Sequence, residues 1–416
     1  MTQDQAFEIL IKGKNCLITG PPGSGKTHLL NRFIEHLKKE SIPVAATAPT
    51  GVAATHLNGR TIHSWSGIGI KEALSDKQLK KMAKTPHIRK RIRSAEVLII
   101  DEISMLHSHL FDLVSRVCQE VRGDVNPFGG LQIVCSGDFF QLPPIQARGL
   151  DKPKFAVESF SWSQLNPVIC YLDEQYRHKD KNLFKVLSDI RDGGVTKFSM
   201  RALRERVNED IASDISPTKL FTHNRDVDSI NENQLNEIKE TKKEYEMTTE
   251  GDKRLVESLK KSCLASEKLI LKKGAKVMFI KNNFAKGYVN GTLGKVVDFD
   301  DAGYPIVKTF EGKEIEVLPA SWSIDDYDGK VEAKVTQIPL KLAWAITIHK
   351  SQGMTLDAAE IDLRKSFEEG MGYVALSRVR RLDNIKLLGF NDMSITVSEK
   401  ALVLDKHFIK ESKKHT

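Results

Sequence analysis

Hydrophobic positions along the chain fall in short dense runs separated by polar stretches, and the spacing of each run predicts an element. Cys16-Leu17-Ile18-Thr19 is a four-residue apolar run and reads as a buried strand. Leu29, Leu30, Phe33, Ile34 and Leu37 then recur at helical spacing as far as Glu40. Val44-Ala45-Ala46-Thr47 reads as the next strand, and strand, helix, strand is the start of a parallel sheet. Val97-Leu98-Ile99-Ile100 and Leu131 to Ser136 are two more buried-strand runs. Between Val44 and Val97, the stretch from His56 to about Arg93 is polar, basic and only partly helical in pattern, an excursion from the sheet.

A second α/β segment is expected to begin near Val168, where Val168 to Leu172 is strand-like. Leu183, Phe184, Leu187 and Ile190 follow at helical spacing until Gly193-Gly194, and Lys219-Leu220-Phe221-Thr222 reads as the next strand of that sheet. Residues from about Asp226 to Ser266, rich in Glu, Lys and Asn, read as mainly helical and exposed. From Ala275 the pattern changes to short strands, roughly Lys276–Lys281, Gly294–Phe299, Ile306–Phe310 and Ile315–Leu318, with turns at Asn290-Gly291, Asp301-Ala302-Gly303 and Glu311-Gly312. This predicts a small antiparallel barrel inserted into the second α/β domain, whose sheet resumes through Leu340 to Ala345. The expected division is 1–56 with 94–165, 57–93, 166–225 with 337–416, and 226–336.

Composition narrows the class. With 416 residues, 40% of them hydrophobic, the chain is long enough for two or three domains. It has no long apolar run, and its opening Thr2-Gln3-Asp4-Gln5 is polar, so a cytoplasmic protein without a membrane span or leader is expected. Five scattered cysteines lack metal-ligand spacing and read as buried reduced thiols. A net charge of +8 favours a polyanionic partner without identifying it.

The motifs decide. Gly20-Pro21-Pro22-Gly23-Ser24-Gly25-Lys26-Thr27 follows the first strand and opens the first helix, the setting of a phosphate-binding loop. There the glycines let backbone N–H groups face phosphate oxygens, Lys26 reaches the terminal phosphates and Thr27 ligates Mg²⁺. Asp101-Glu102 ends a strand, where Asp101 can hold Mg²⁺ and Glu102 can orient or deprotonate an attacking water. Gln141, in Gly137-Asp138-Phe139-Phe140-Gln141-Leu142-Pro143-Pro144, is the candidate γ-phosphate sensor. Thr347, His349, Lys350 and Ser351, leading to Gly353, are suited to phosphate contacts. Arg378, at the end of Tyr373-Val374-Ala375-Leu376-Ser377-Arg378, is placed to act as an arginine finger.

Taken together these motifs resemble helicases of superfamily 1B, specifically the petite integration frequency (Pif) family in its compact bacterial form. The resemblance runs from the Gln5 region to about Phe390, and its most specific mark is Leu110-Phe111-Asp112, then Pro127-Phe128-Gly129-Gly130 and the Gly137–Pro144 stretch. It implies two RecA-like parallel-sheet domains, with 57–93 as a small wedge and the barrel as an SH3-like insertion. It also implies that Gln5 contacts adenine, and that Arg177 and Arg378 both reach the phosphates. DNA contacts are implied for Pro49, Thr50 and Gly51, for His63, Ser64 and Trp65, and for Tyr373. Two positions depart from the family pattern: Met371 stands where many members carry Gln, and His178 replaces Gln after Arg177.

The implied activity is ATP- and Mg²⁺-dependent 5′-to-3′ unwinding of forked or tailed duplex DNA, and of G-quadruplexes, by a monomer moving on single-stranded DNA in replication, repair or recombination. Two other classes use overlapping residues. One is a P-loop ATPase of the clamp-loader or signalling kind, against which the Gly137–Pro144 stretch and the second sheet argue. The other is a nucleotide-gated single-stranded DNA tether that moves nothing.

Overall fold

The computed structural model describes residues 1–55, 57, 59–69, 71–144, 154–174, 180–211, 217–263, 265–281, 283, 285–288, 291–310, 312–325, 331–356 and 358–415. Two compact units emerge, 1–217 with 351–416, and 218–350. In the first, six strands form one parallel sheet: β1 (Cys16–Thr19), β2 (Val44–Ala48), β3 (Arg60–Thr61), β4 (Val97–Ile100), β5 (Gln132–Ser136) and β6 (Val168–Tyr171). Their order is β3-β2-β4-β5-β1-β6. Every residue of β1 and β4 is buried, which is why their sequences are apolar without alternation. The helix Lys26–Lys39 buries Leu29, Leu30, Phe33, Ile34 and Leu37, the five positions its periodicity marks. They pack in one core with Leu10, Ile18, Ile99 and Leu172, where truncating a single leucine costs about 2–5 kcal/mol. Because all six strands run the same way and β1, β5 and β4 are adjacent, the loops that follow them emerge side by side at one edge.

Two expectations are corrected in this unit. The run Val168–Leu172 does not open a second sheet but forms the edge of the first. Val168 N–H donates to the Asn15 carbonyl and Leu172 N–H to the Thr19 carbonyl, both at 2.8 Å. The excursion after β2 is more helical than its pattern suggested, with helices Ile62–Ser66, Asp76–Ala83 and Pro86–Ser94. Leu79, Met82, Ile88 and Ile92 supply its buried positions, diluted in sequence by lysine and arginine. Its start also belongs to the sheet, since Arg60–Thr61 pairs with β2.

The second unit begins with β7 (Thr218–Phe221) and the helix Asn224–Glu237. Where an exposed helical stretch was expected, the chain instead forms β8 (Lys243–Glu246) and β9 (Thr248–Gly251) before the helix Lys253–Ser262. Their short, mostly exposed stretches show no buried apolar alternation. The ladder comes from distant partners, β10 (Lys268–Leu271) against β8, with Lys268 2.7 Å from Glu244. The short strands predicted next are present as β11 (Lys276–Phe279), β12 (Leu293–Phe299), β13 (Pro305–Thr309) and β14 (Glu314–Glu316), followed by β15 (Ala320–Asp325) and β16 (Val331–Gln337). Asn290 lies outside the described residues, while Gly291 N–H donates to the Phe279 carbonyl at 2.8 Å.

The expected continuous strand Leu340–Ala345 is split. β17 (Leu340–Leu342) runs antiparallel to β11, completing the sheet β14-β13-β12-β11-β17, whereas β18 (Ala345–Thr347) runs parallel to β7. Asn231 fixes that register by donating to the Ala345 carbonyl at 3.0 Å and accepting its N–H at 2.9 Å. The sheet β15-β16-β9 is separate.

Returning to the first unit, β19 (Ala359–Leu363) pairs parallel with β20 (Ile385–Phe390). Helices Lys181–Arg191, Met371–Leu376 and Glu399–Ser412 belong to the same unit. Among the described residues no helix is long and apolar enough to cross a membrane.

Candidate nucleotide site and nucleic-acid interface

The loop Gly20–Thr27 links β1 to the helix Lys26–Lys39, whose N-terminus carries unpaired N–H groups and a partial positive charge. Gly20 is required there: its φ is +140°, and a Cβ would sit 2.4 Å from the Leu172 carbonyl oxygen. The Lys26 ammonium donates to the Gly20 and Pro21 carbonyls at 2.8 and 3.0 Å. Burial pushes its pKa down, while the carboxylates of Asp138, Glu102 and Asp101 pull against that.

At the end of β4, Asp101 is 5% exposed and accepts the Glu102 N–H at 2.9 Å. Glu102 has a left-handed φ of 50°, uncommon for a non-glycine residue, which turns the chain immediately after the strand. Burial first, and Asp101 second, push its carboxyl up to about 7, with Lys26 and Arg378 opposing. A carboxyl poised near neutrality is suited to accept a proton from water. After β5, Gln141 is buried, and its Oε1 has no hydrogen-bond partner among the described residues.

These residues line a cleft of about 1100 Å³. Lys26, Thr27, Asp101, Glu102, Gln141, Gly353, Arg378, Arg380 and Arg381 are among its lining residues. Arg378 is 1% exposed, and carbonyls aim its guanidinium: Nε donates to Val374 at 2.8 Å and Nη1 to Met354 at 3.3 Å. Nη2 donates to the Ser377 hydroxyl at 2.7 Å. The cleft fits a magnesium nucleoside triphosphate. Thr27 and Asp101 supply hard oxygen donors, the helix N-terminus with Lys26, Arg378, Arg380 and Arg381 supplies positive charge, and Gln141 leaves a buried polar atom for a ligand.

Several expected contact residues are held by burial or by local bonding in the structure. Gln5 is exposed and serves the capping box of the helix Gln3–Ile11, accepting the Thr2 N–H at 2.9 Å. The glutamine against the phosphate loop is Gln3, whose Nε2 donates to the Ser24 carbonyl at 3.3 Å and whose Oε1 is 3.1 Å from His28 Nδ1. Trp65 and Tyr373 are buried in the first unit. The side chains of Thr347 and Ser351 are buried too, and Thr347 accepts the Lys350 N–H at 3.4 Å. Arg177 lies outside the described residues.

The remaining candidates keep access. Pro49, Thr50, Gly51, His63 and Ser64 are half-buried or exposed in the first unit, as are His349 and Lys350 in the second. Thr50 caps Gly51–Thr55 by accepting the Ala53 N–H at 3.2 Å. Burial holds His63 below the usual imidazole range despite its hydrogen bond to the Pro49 backbone. Sequence reasoning missed Arg191 and gave Asp138 no role. Asp138 is fully buried and pairs with Arg191 at 2.7 Å. The available signal was an arginine four residues after Leu187, on the apolar face of its helix.

Comparison with known proteins agrees with this geometry. The family description "PIF1-like helicase" matches residues 3–199, and "DNA helicase Pif1, 2B domain" matches 254–299. ATP-dependent DNA helicase Pif1 of Psychrobacter sp. (strain PRwf-1) is 43% identical, over 98% of this chain and 71% of its own. The chain belongs to the PIF1-like helicase family. Within that family of ATP-dependent DNA helicases, its fold matches Pif1 helicase from Candida albicans with a TM-score of 0.90 at 33% identity, covering 97% of this chain and 98% of that one. Pif1 helicase from Bacteroides, in complex with ADP-AlF3 and ssDNA, matches with a TM-score of 0.78 at 29% identity, over 99% and 98% of the two chains. The mixed α/β architecture expected for two RecA-like domains is thereby found in solved Pif1 structures.

Proposed function

We propose that this PIF1-like helicase uses ATP and Mg²⁺ to move 5′-to-3′ on single-stranded DNA, unwinding forked or tailed duplexes and G-quadruplexes. In this reading it acts as a cytoplasmic monomer in replication, repair or recombination, with 57–93 as a wedge and 226–336 as a helical arm with an SH3-like insertion. The observation that carries the reading is the convergence of Lys26, Thr27, Asp101, Glu102, Gln141 and Arg378 on one cleft. The Bacteroides relative in complex with ADP-AlF3 and ssDNA supports pairing that chemistry with a strand partner.

In this reading Lys26 leaves the carbonyls of Gly20 and Pro21 to neutralise phosphate charge, and Thr27 with Asp101 holds Mg²⁺. The ion, when bound, supplies charge neutralisation at the phosphate oxygens. Glu102 orients water and takes its proton, Gln141 reads the terminal phosphate, and Arg378 stabilises the charge that develops on transfer. Gly353 lines the same cleft and approaches the nucleotide. Thr50, His63 and Ser64 in one unit and His349 and Lys350 in the other provide phosphate contacts to the strand, so binding weakens with salt.

Strand displacement on duplexes bearing a 5′ or a 3′ single-stranded tail tests the reading. Unwinding with the 5′ tail alone supports it. Unwinding from the 3′ tail overturns the polarity, and turnover without displacement favours the gated tether.

A further inference from the structure

We infer that Arg191 is a positioning residue that couples the Gln141 loop to Arg378 through a buried triangle with Asp138 and Tyr373. The inference rests on the hydrolytic roles proposed above for Gln141 and Arg378.

The triangle is closed by hydrogen bonds on every side. Arg191 Nη1 donates to Asp138 Oδ1 at 2.7 Å and to the Tyr373 hydroxyl oxygen at 2.9 Å, and the Tyr373 hydroxyl donates to Asp138 Oδ2 at 3.1 Å. Its other arm, Nη2, donates to Asp405 Oδ1 at 2.7 Å and reaches the Tyr171 hydroxyl at 3.3 Å, and the Phe140 ring lies 4.2 Å from the guanidinium carbon. Asp138, Arg191 and Tyr373 are 0, 7 and 0% exposed.

Each end of the triangle continues into the cleft by a short backbone path. The Asp138 carboxylate also accepts the Phe140 N–H at 3.2 Å, and its carbonyl accepts the Gln141 N–H at 3.1 Å, so Asp138 fixes the loop that presents Gln141. Tyr373 lies in the helix Met371–Leu376, which ends just before Arg378. The Tyr373 carbonyl accepts the Ser377 N–H at 3.0 Å, and the neighbouring Val374 carbonyl accepts Arg378 Nε. That helix also seats directly on the sensor loop. A Cβ on Gly370 would lie 2.6 Å from the Phe140 carbonyl oxygen and 3.3 Å from that of Gln141.

A buried ion pair adds little net stability over an apolar replacement, because desolvation offsets the attraction. What a buried hydrogen-bonded network does provide is stiffness and fixed orientation, here through both Nη atoms of Arg191, while its Nε has no partner among the described residues. A shift of the Gln141 loop therefore moves Asp138, and through Arg191 and Tyr373 it reorients the helix that aims Arg378. Arg191 does not line the cleft and acts through its partners.

The test is DNA-stimulated ATP turnover of Tyr373→Phe, Arg191→Lys and Arg191→Met, with kcat and the KM for ATP measured separately. Losing one charge-assisted hydrogen bond should lower kcat about tenfold to a hundredfold while KM stays within about twofold. Arg191→Lys, which can keep one bond to Asp138, should recover part of what Arg191→Met loses. In an Arg378→Ala background, Tyr373→Phe should have no further effect, since both act on one step. Independent, multiplying losses in that double variant would overturn the relay, as would lowered melting temperatures with kcat intact. A wild-type protein without DNA-stimulated turnover would instead remove the hydrolytic reading on which the relay rests.

Discussion

Gly20→Ala is the single methyl addition that most directly probes how the phosphate loop is joined to the sheet. The new Cβ would stand 2.4 Å from the Leu172 carbonyl oxygen, about 1 Å inside ordinary contact, and the obstacle is backbone, so no rotamer change relieves it. A φ of +140° adds about 1–3 kcal/mol of strain for an L-residue. Moving Leu172 away breaks its N–H bond to the Thr19 carbonyl, about 1 kcal/mol, and loosens a fully buried leucine. The sum is at least about 2–4 kcal/mol before the loosened leucine is counted. The control is Gly13→Ala, where φ is +72° but nothing lies within 4 Å of the added carbon, so only strain of about 1 kcal/mol is expected. Urea unfolding of both variants, followed by circular dichroism and read as a change in midpoint at constant slope, measures the difference. ATP turnover should fall with it, because the Gly20 carbonyl is also an anchor of Lys26. If the two variants unfold within about 1 kcal/mol of each other, the join between β1 and β6 is not the tight contact described here.

Three further outcomes are expected. Lys26→Ala should abolish ATP turnover and unwinding while leaving single-stranded DNA binding intact, as read by filter binding; retained turnover would remove the phosphate loop from the reaction. Arg378→Ala should bind ATP nearly normally and hydrolyse it at least about a hundredfold more slowly, and a loss of nucleotide binding instead would make that arginine structural. For Asp189, burial raises the carboxyl, but hydrogen bonds from Lys185, Ser199 and Thr196 outweigh it and hold the group at about 2. A folded pKa below the unfolded one stabilises above the unfolded value, here by about 2 kcal/mol, and the benefit is lost as pH falls from about 4 towards 2. The stability gap between wild type and Asp189→Asn should therefore narrow over that interval, and a gap constant with pH would contradict the bonding described.

Local pattern alone carried the phosphate loop, the helix behind it and the strands that feed the cleft. Those features depend on spacing within a few residues: apolar positions 29, 30, 33, 34 and 37 share a helix face wherever that helix sits. The loops after β1, β4 and β5 could be read as one site because parallel strands bring their carboxyl ends together. Family resemblance supplied roles that local pattern lacked. Tyr373 and Trp65 sit within recognised motifs, yet their rings are packed inside the first unit.

What the tertiary structure decided were the pairings. The run Val168–Leu172 announces a buried strand with equal clarity whether it joins the first sheet or a second, and only the contact with β1 and Gly20 selects between them. The strands Lys243–Glu246 and Thr248–Gly251 are polar and mostly exposed, and become strands through ladders to β10 and β16, far along the chain. Arg191 illustrates the limit most sharply. An arginine on the apolar face of a helix is a costly oddity in sequence, and its meaning comes from Asp138, Tyr373 and Asp405, which the fold brings to it from elsewhere in the chain. Hydrophobic period encodes which face of an element is buried. The partner that covers that face, and the charges that meet there, are set by long-range packing that no window of sequence contains.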